Sequence, residues 1–119
     1  MKKVILIVDD EIDLLKCLND FFSARGYEVL SDTMGSFAVE TIRRSQPQAV
    51  ILDLKLLDMD AESIIQDIKD ACPQTKIIIH TAYRDEQTKQ RIEKIGVYAY
   101  FYKPASLQEL KETIEKATL

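Results

Sequence analysis

Short apolar runs and longer amphipathic stretches alternate along the chain. Val4–Val8, Tyr27–Leu30, Ala49–Leu52, Lys76–Ile79 and Tyr98–Tyr102 are rich in β-branched or aromatic residues and predict five strands. After the first run, Ile12, Leu15, Leu18 and Phe22 recur at helical spacing, which predicts one inward stripe ended by Gly26. A second helix is predicted from Ser36 to Ser45, with Phe37, Ala38 and Ile42 inward and Pro47 blocking its continuation. A third carries Ile64, Ile65 and Ile68 ahead of Pro73. The last opens on Ser106 with Glu109 three residues on, the spacing of a capping box. The fourth segment, Arg84–Arg91, is polar almost throughout, with Ile92 and Ile95 as its clear apolar anchors, so this helix is expected to be the least firmly held.

The first, third and fourth runs are almost continuously apolar, as strands covered on both faces should be. Five βα units therefore predict an α/β fold: a doubly wound parallel sheet with helices on both faces. Such sheets place their functional groups just beyond the carboxyl ends of the strands. There are no repeats, low-complexity tracts or linker-like stretches, so the pattern fills residues 1–119 as one domain.

Composition narrows the function. Apolar residues make up 46% of the chain, enough for one sizeable core, and 16 basic against 20 acidic residues leave a net charge of −4. A broad basic surface for nucleic acid is disfavoured, and any DNA output would need another domain or chain. One histidine and two cysteines, Cys17 and Cys72, lack the spacing of a structural zinc site, and two reduced, packed thiols are expected. Val4–Val8 is too short for a signal-peptide core and no run approaches a membrane span, so a cytoplasmic protein without membrane association is expected.

The carboxyl ends of the predicted strands carry Asp9 and Asp10, then Asp53, Thr81 and Lys103. Three carboxylates converging on one crevice repel one another unless a hard divalent cation or a lysine sits among them, and Mg²⁺ suits such an oxygen-rich site.

Val8-Asp9-Asp10-Glu11, Ile51-Leu52-Asp53-Leu54, His80-Thr81-Ala82 and Tyr102-Lys103-Pro104 together resemble the four signature segments of response-regulator receiver domains, CheY-like proteins of two-component signalling. Each segment alone is weak; four at consecutive strand ends are specific. The resemblance covers essentially the whole chain and implies flavodoxin-like strand order 2-1-3-4-5. It also implies a signalling switch rather than an enzyme in the ordinary sense: Asp53 takes a phosphoryl group from a phosphohistidine on a sensor histidine kinase or a histidine phosphotransfer protein. Asp10 would then ligate Mg²⁺ directly and Asp9 through water, with Asp53 and the main-chain carbonyl of Lys55 completing the set. Thr81 and Lys103 would meet the phosphoryl oxygens. Thr81 would move toward Asp53, and Tyr100 would turn inward. The fourth helix, fifth strand and fifth helix would form the output face toward an output domain or downstream protein. The domain would be a monomer or a weak, phosphorylation-dependent dimer, acting either alone or as the receiver of a longer protein.

The family commonly has proline and glycine where this chain has Leu57 and Ala61, which affects the turn after the acceptor and removes no chemical group. Lys55 and Tyr83, two residues beyond Asp53 and Thr81, occupy positions that tune hydrolysis in receivers, and a fairly persistent phosphorylated state is expected. Asp58 and Asp60 read as turn formers, and Glu11 as first-turn helix chemistry rather than a metal ligand. His80 reads as a packed or rim histidine facing away from Thr81. Tyr98, Tyr100 and Tyr102 share one strand face by spacing. Three other readings compete with this one: a degenerate receiver that binds partners without phosphorylation, an aspartate-nucleophile phosphatase and a flavodoxin-like redox module. The phosphatase needs an acid two residues after the nucleophile, where Lys55 stands; the redox module needs a phosphate loop after the first strand.

Overall fold

The computed structural model describes residues 2–57 and 61–119. In chain order the elements are β1 (Lys3–Val8), α1 (Ile12–Ser23), β2 (Tyr27–Asp32), α2 (Ala38–Ser45), β3 (Ala49–Leu52), α3 (Ala61–Ala71), β4 (Lys76–Thr81), α4 (Glu86–Ile95), β5 (Ala99–Tyr102) and α5 (Leu107–Ala117). The strands form one parallel sheet in the order β2-β1-β3-β4-β5, as expected.

Strand alternation divides the core in two. Leu6, Val8, Val50, Leu52, Ile77 and Ile79 point to one face, where they meet Ile42 of α2, Ile65 and Ile68 of α3 and Ile92 of α4. Ile5, Ile7, Ala49, Ile51 and Ile78 point to the other, against Leu15, Leu18 and Phe22 of α1 and Leu110 and Ile114 of α5. Both faces of β1, β3 and β4 are therefore dry, which is why their sequences read as unbroken apolar runs. The buried carboxylates Asp9 and Asp53 are left to the positions just beyond the strand ends.

Several details differ from the sequence reading. Phe37 is exposed rather than inward, because residues Gly35–Phe37 form a 3₁₀ turn whose three-residue period puts Phe37 out of phase with Ala38 and Ile42. Gly35 is held there by contact: a Cβ on it would lie 2.1 Å from the Leu56 carbonyl oxygen. Ile12 has the phase of the buried stripe but is 64% exposed, since it is the first helical residue and nothing covers it. Cys17 is exposed, not packed, whereas Cys72 is buried; both are free thiols. Tyr98 precedes β5 and is exposed, so only Tyr100 and Tyr102 share the strand face, in an edge-to-face contact at 5.7 Å.

The weakly apolar α4 is tied to α3 by polar contacts. Arg91 donates to Glu62 at 2.8 Å, and Lys69 Nζ donates to the Ile95 carbonyl at 2.7 Å, capping the C-terminus of α4. The expected capping box is half formed: Ser106 Oγ accepts from Glu109 N–H at 3.0 Å. The Lys103–Pro104 bond is cis. No described helix is long and apolar enough to cross a membrane.

Candidate functional site

The site sits where β1, β3, β4 and β5 end. β1 runs directly into Asp9, which is 3% exposed, and β3 into Asp53, which is 1% exposed. Their backbones continue the ladder, Asp53 N–H donating to the Val8 carbonyl and Asp9 N–H to that of Asp32. Asp10 follows on the solvent side. Carboxylate oxygens of Asp9, Asp10 and Asp53 lie within 4.8 Å of one another.

Such a cluster is electrostatically costly unless cations offset it. Lys103 Nζ reaches Asp9 at 2.7 Å and Asp53 at 3.1 Å, and also pairs with Glu11; its side chain is 12% exposed. Burial alone would lower the ammonium's pKa, but the hydrogen bonds to Asp9, Glu11 and Asp53 outweigh it and raise it above the usual lysine value. Lys103 is therefore a permanent cation. Lys55 Nζ pairs with Asp10 at 3.1 Å, and that contact is the leading cause of its raised pKa.

Both Asp53 oxygens are held in place. Oδ1 accepts from Thr81 Oγ1 at 2.9 Å and from Lys55 N–H at 3.1 Å; Oδ2 accepts from Lys103. Thr81 Oγ1 in turn accepts from Tyr83 N–H at 3.1 Å. Thr81 is thus already hydrogen-bonded to Asp53 in the unphosphorylated chain. The cause is local: as the last β4 residue it is fully buried, and Asp53 accepts its hydroxyl proton. Tyr100 packs against the α2–α4 side of the core, with its hydroxyl buried and unpartnered among the described residues; burial raises its pKa to about 12.

The three-carboxylate set, made of hard oxygen donors with one exposed member, fits a Mg²⁺-sized cation better than a soft metal. Glu11 lies outside it. Its carboxylate serves Lys103 rather than the first turn of α1, which makes no side-chain cap there. A cleft of about 390 Å³ opens over Asp53 and Lys103, with Lys55, Ala82, His80 and Ala105 in its walls. A larger cleft of about 620 Å³, between Lys2, Arg25, Tyr27 and Lys111, lies at the opposite ends of the strands and holds none of these residues. Tyr83 has an exposed ring and reaches the site through its backbone. Leu57 closes a 3₁₀ turn begun at Leu54, and Ala61 opens α3; Asp58 and Asp60 lie outside the described residues.

Asp9, Asp10, Asp53, Lys55, Thr81 and Lys103 are therefore brought together, whereas Tyr83 presents only its backbone and Tyr100 packs into the core. Glu11's partnership with Lys103 was missed, although its position beside the Asp9-Asp10 pair was the available signal. His80, 3% exposed, is buried as expected, with Nε2 accepting from Ala105 N–H.

Known proteins are similar to this chain in sequence and in fold. The response regulator receiver domain family matches residues 5–115. Sporulation initiation phosphotransferase F of Bacillus subtilis is 30% identical over 98% of this chain and 94% of its own length. The transcriptional regulatory protein ZraR of Escherichia coli is 32% identical over 95% of this chain, which spans only 26% of that protein. Among solved structures, a CheY-like response regulator receiver domain protein from Methanospirillum hungatei superposes with a TM-score of 0.90 at 27% identity, covering 98% of this chain and 93% of the other.

Proposed function

Because this chain belongs to the response regulator receiver domain family, whose members are phosphorylation switches of two-component signalling, we propose that Asp53 is its phosphoryl acceptor. The observation that carries this reading is the state of Asp53: a buried carboxylate at a strand end, hydrogen-bonded at both oxygens by Thr81, Lys55 N–H and Lys103.

The donor is a phosphohistidine of a sensor kinase or histidine phosphotransfer protein. An Asp53 oxygen forms the new O–P bond as the P–N bond breaks, and the electron pair leaves with the donor imidazole, which takes up a proton. A carboxylate is a modest nucleophile, so this chain contributes position and charge rather than an activated base. Lys103 faces the developing phosphoryl charge, while Thr81 offers its hydroxyl and the small Ala82 leaves the approach open. Asp10, Asp9, Asp53 and the Lys55 carbonyl are the residues that would hold Mg²⁺. When bound, the ion supplies positive charge against both the carboxylates and the phosphoryl oxygens.

The switch follows from a transfer of hydrogen bonds. Phosphorylation converts a carboxylate bonded to Thr81 and Lys103 into a bulkier group with more acceptor oxygens, so both donors shift from carboxylate to phosphoryl. Tyr100, next to Phe101 and in ring contact with Tyr102 on β5, carries the change to the face made by α4, β5 and α5, where an output domain or downstream protein docks. The likeness to a protein named a phosphotransferase favours a relay use of the same site, with the phosphoryl group passed on to another histidine.

Beryllium fluoride with Mg²⁺ mimics a phosphoryl group on a carboxylate and tests acceptor and switch together. Added to ¹⁵N-labelled protein, it should shift the amides of Thr81, Tyr83 and Lys103 and those of α4, β5 and α5, and shift none in Asp53→Ala. Changes confined to the site loops would overturn the output-face assignment.

A further inference from the structure

His80 is the one histidine of the chain, and nothing in the phosphoryl chemistry above uses it. It is 3% exposed, sits on β4 one residue before Thr81, and points by strand alternation to the face packed by α1 and α5. Burying an imidazole there costs more than burying an aliphatic chain unless its nitrogens are satisfied. One nitrogen is: Nε2 accepts from Ala105 N–H at 3.4 Å. Nδ1 has no partner among the described residues.

The hydrogen bond falls at a decisive place. Lys103, whose ammonium holds Asp9 and Asp53, begins the turn between β5 and α5. Its own N–H donates to the Thr81 carbonyl at 2.8 Å. Pro104 has no N–H, so Ala105 supplies the next donor in the turn. Two adjacent β4 residues therefore hold the turn on either side of the proline, Thr81 through its carbonyl and His80 through its imidazole. An aliphatic residue at position 80 would leave the Ala105 N–H without this acceptor.

We propose that His80 is a positioning residue: its unprotonated Nε2 fixes the Lys103–Ala105 turn and so aims the Lys103 ammonium at Asp53. The inference rests on the acceptor reading above. It requires a neutral imidazole with its proton on Nδ1, because a proton on Nε2 would face the Ala105 N–H.

Two measurements test it. Imidazole ¹⁵N spectra of the folded wild type at pH 7.5 should show Nδ1 protonated and Nε2 bare; the opposite tautomer overturns the proposal. Phosphorylation rates are then compared with acetyl phosphate and Mg²⁺ for wild type, His80→Met and His80→Gln. Methionine fills similar space without an acceptor, whereas the Gln Oε1 lies close to the place of Nε2. His80→Met should react about fivefold more slowly, the effect of losing one hydrogen bond, and His80→Gln should stay within about twofold of wild type. Equal rates in all three, or a glutamine variant as slow as the methionine one, would overturn the positioning role. Failure of the acceptor reading is seen separately, as no phosphoryl gain in wild type, and the inference falls with it.

Discussion

At the scale of single residues, the site is a contest between like charges settled by two lysines of different kinds. Lys103 is enclosed and bound to three carboxylates, so it is a fixed part of the site. Lys55 is half exposed, and its pairing with Asp10 is correspondingly weak. With Tyr83 it borders the acceptor: its N–H is on Asp53 and that of Tyr83 is on Thr81. An alanine keeps both N–H groups, so the side chain that matters is the Lys55 ammonium beside Asp10: Lys55→Ala should lose an Asp53 phosphoryl group a few-fold faster than wild type, followed as return to the unmodified mass, and an equal or slower loss would contradict a protective role. His80 makes a pH prediction. Burial first, then Lys103, lowers its pKa below the ordinary 6.5, against the opposing pull of Asp9, Asp53 and Glu11. As pH falls through 6.5 the unfolded chain takes up a proton that the folded one refuses. Stability, undiminished above that value, should then decline by at most about 1.4 kcal/mol per pH unit until the folded imidazole protonates too. Urea unfolding at pH 7.5 and 5.5 should show wild type losing more stability than His80→Gln; equal losses would contradict it. Asp9, Asp10, Asp53, Thr81 and Lys103 were legible because they follow apolar runs. The Glu11–Lys103 pair was not, since 92 residues separate them and only the closed fold sets that pairing.

At the scale of elements, the strands were legible where both faces are dry and truncated where chemistry begins. β2 and β4 each run two residues past their apolar segments, through Ser31 and Asp32 and through His80 and Thr81. Those polar ladder residues are where the sheet hands over to the site, so a pattern built on hydrophobicity stops short of them. Helix phases failed where a turn tightened, as at Phe37, or where a helix began in the open, as at Ile12. The weakness expected of α4 is partly offset by Glu62 and Lys69, whose role depends on the packing of α3 and is invisible in the α4 segment itself. Arg91→Ala and Lys69→Met should each speed amide exchange in α4 about two- to fivefold while leaving β1 and β3 unchanged. Unaltered exchange in α4 would show that Ile92 and its apolar neighbours suffice to hold it.

At the scale of the whole molecule, the net charge of −4 acquires a location. Four carboxylates and two ammonium groups meet at one end of the sheet and leave that end at −2, half the excess of the chain. In the proposed function one divalent cation would neutralise that end before a phosphoryl group arrives, so the acidity that disfavours nucleic acid would serve the acceptor site. The sheet order, the two-sided core and the strand-end crevice together leave Asp53, among the described residues, as the carboxylate held by donors from the ends of β3, β4 and β5. The most direct test is intact mass after incubation with Mg²⁺ and acetyl phosphate or phosphoramidate. Wild type should gain one phosphoryl group and Asp53→Ala none; an unmodified wild type, or a phosphoryl group retained by Asp53→Ala, would contradict Asp53 as the acceptor.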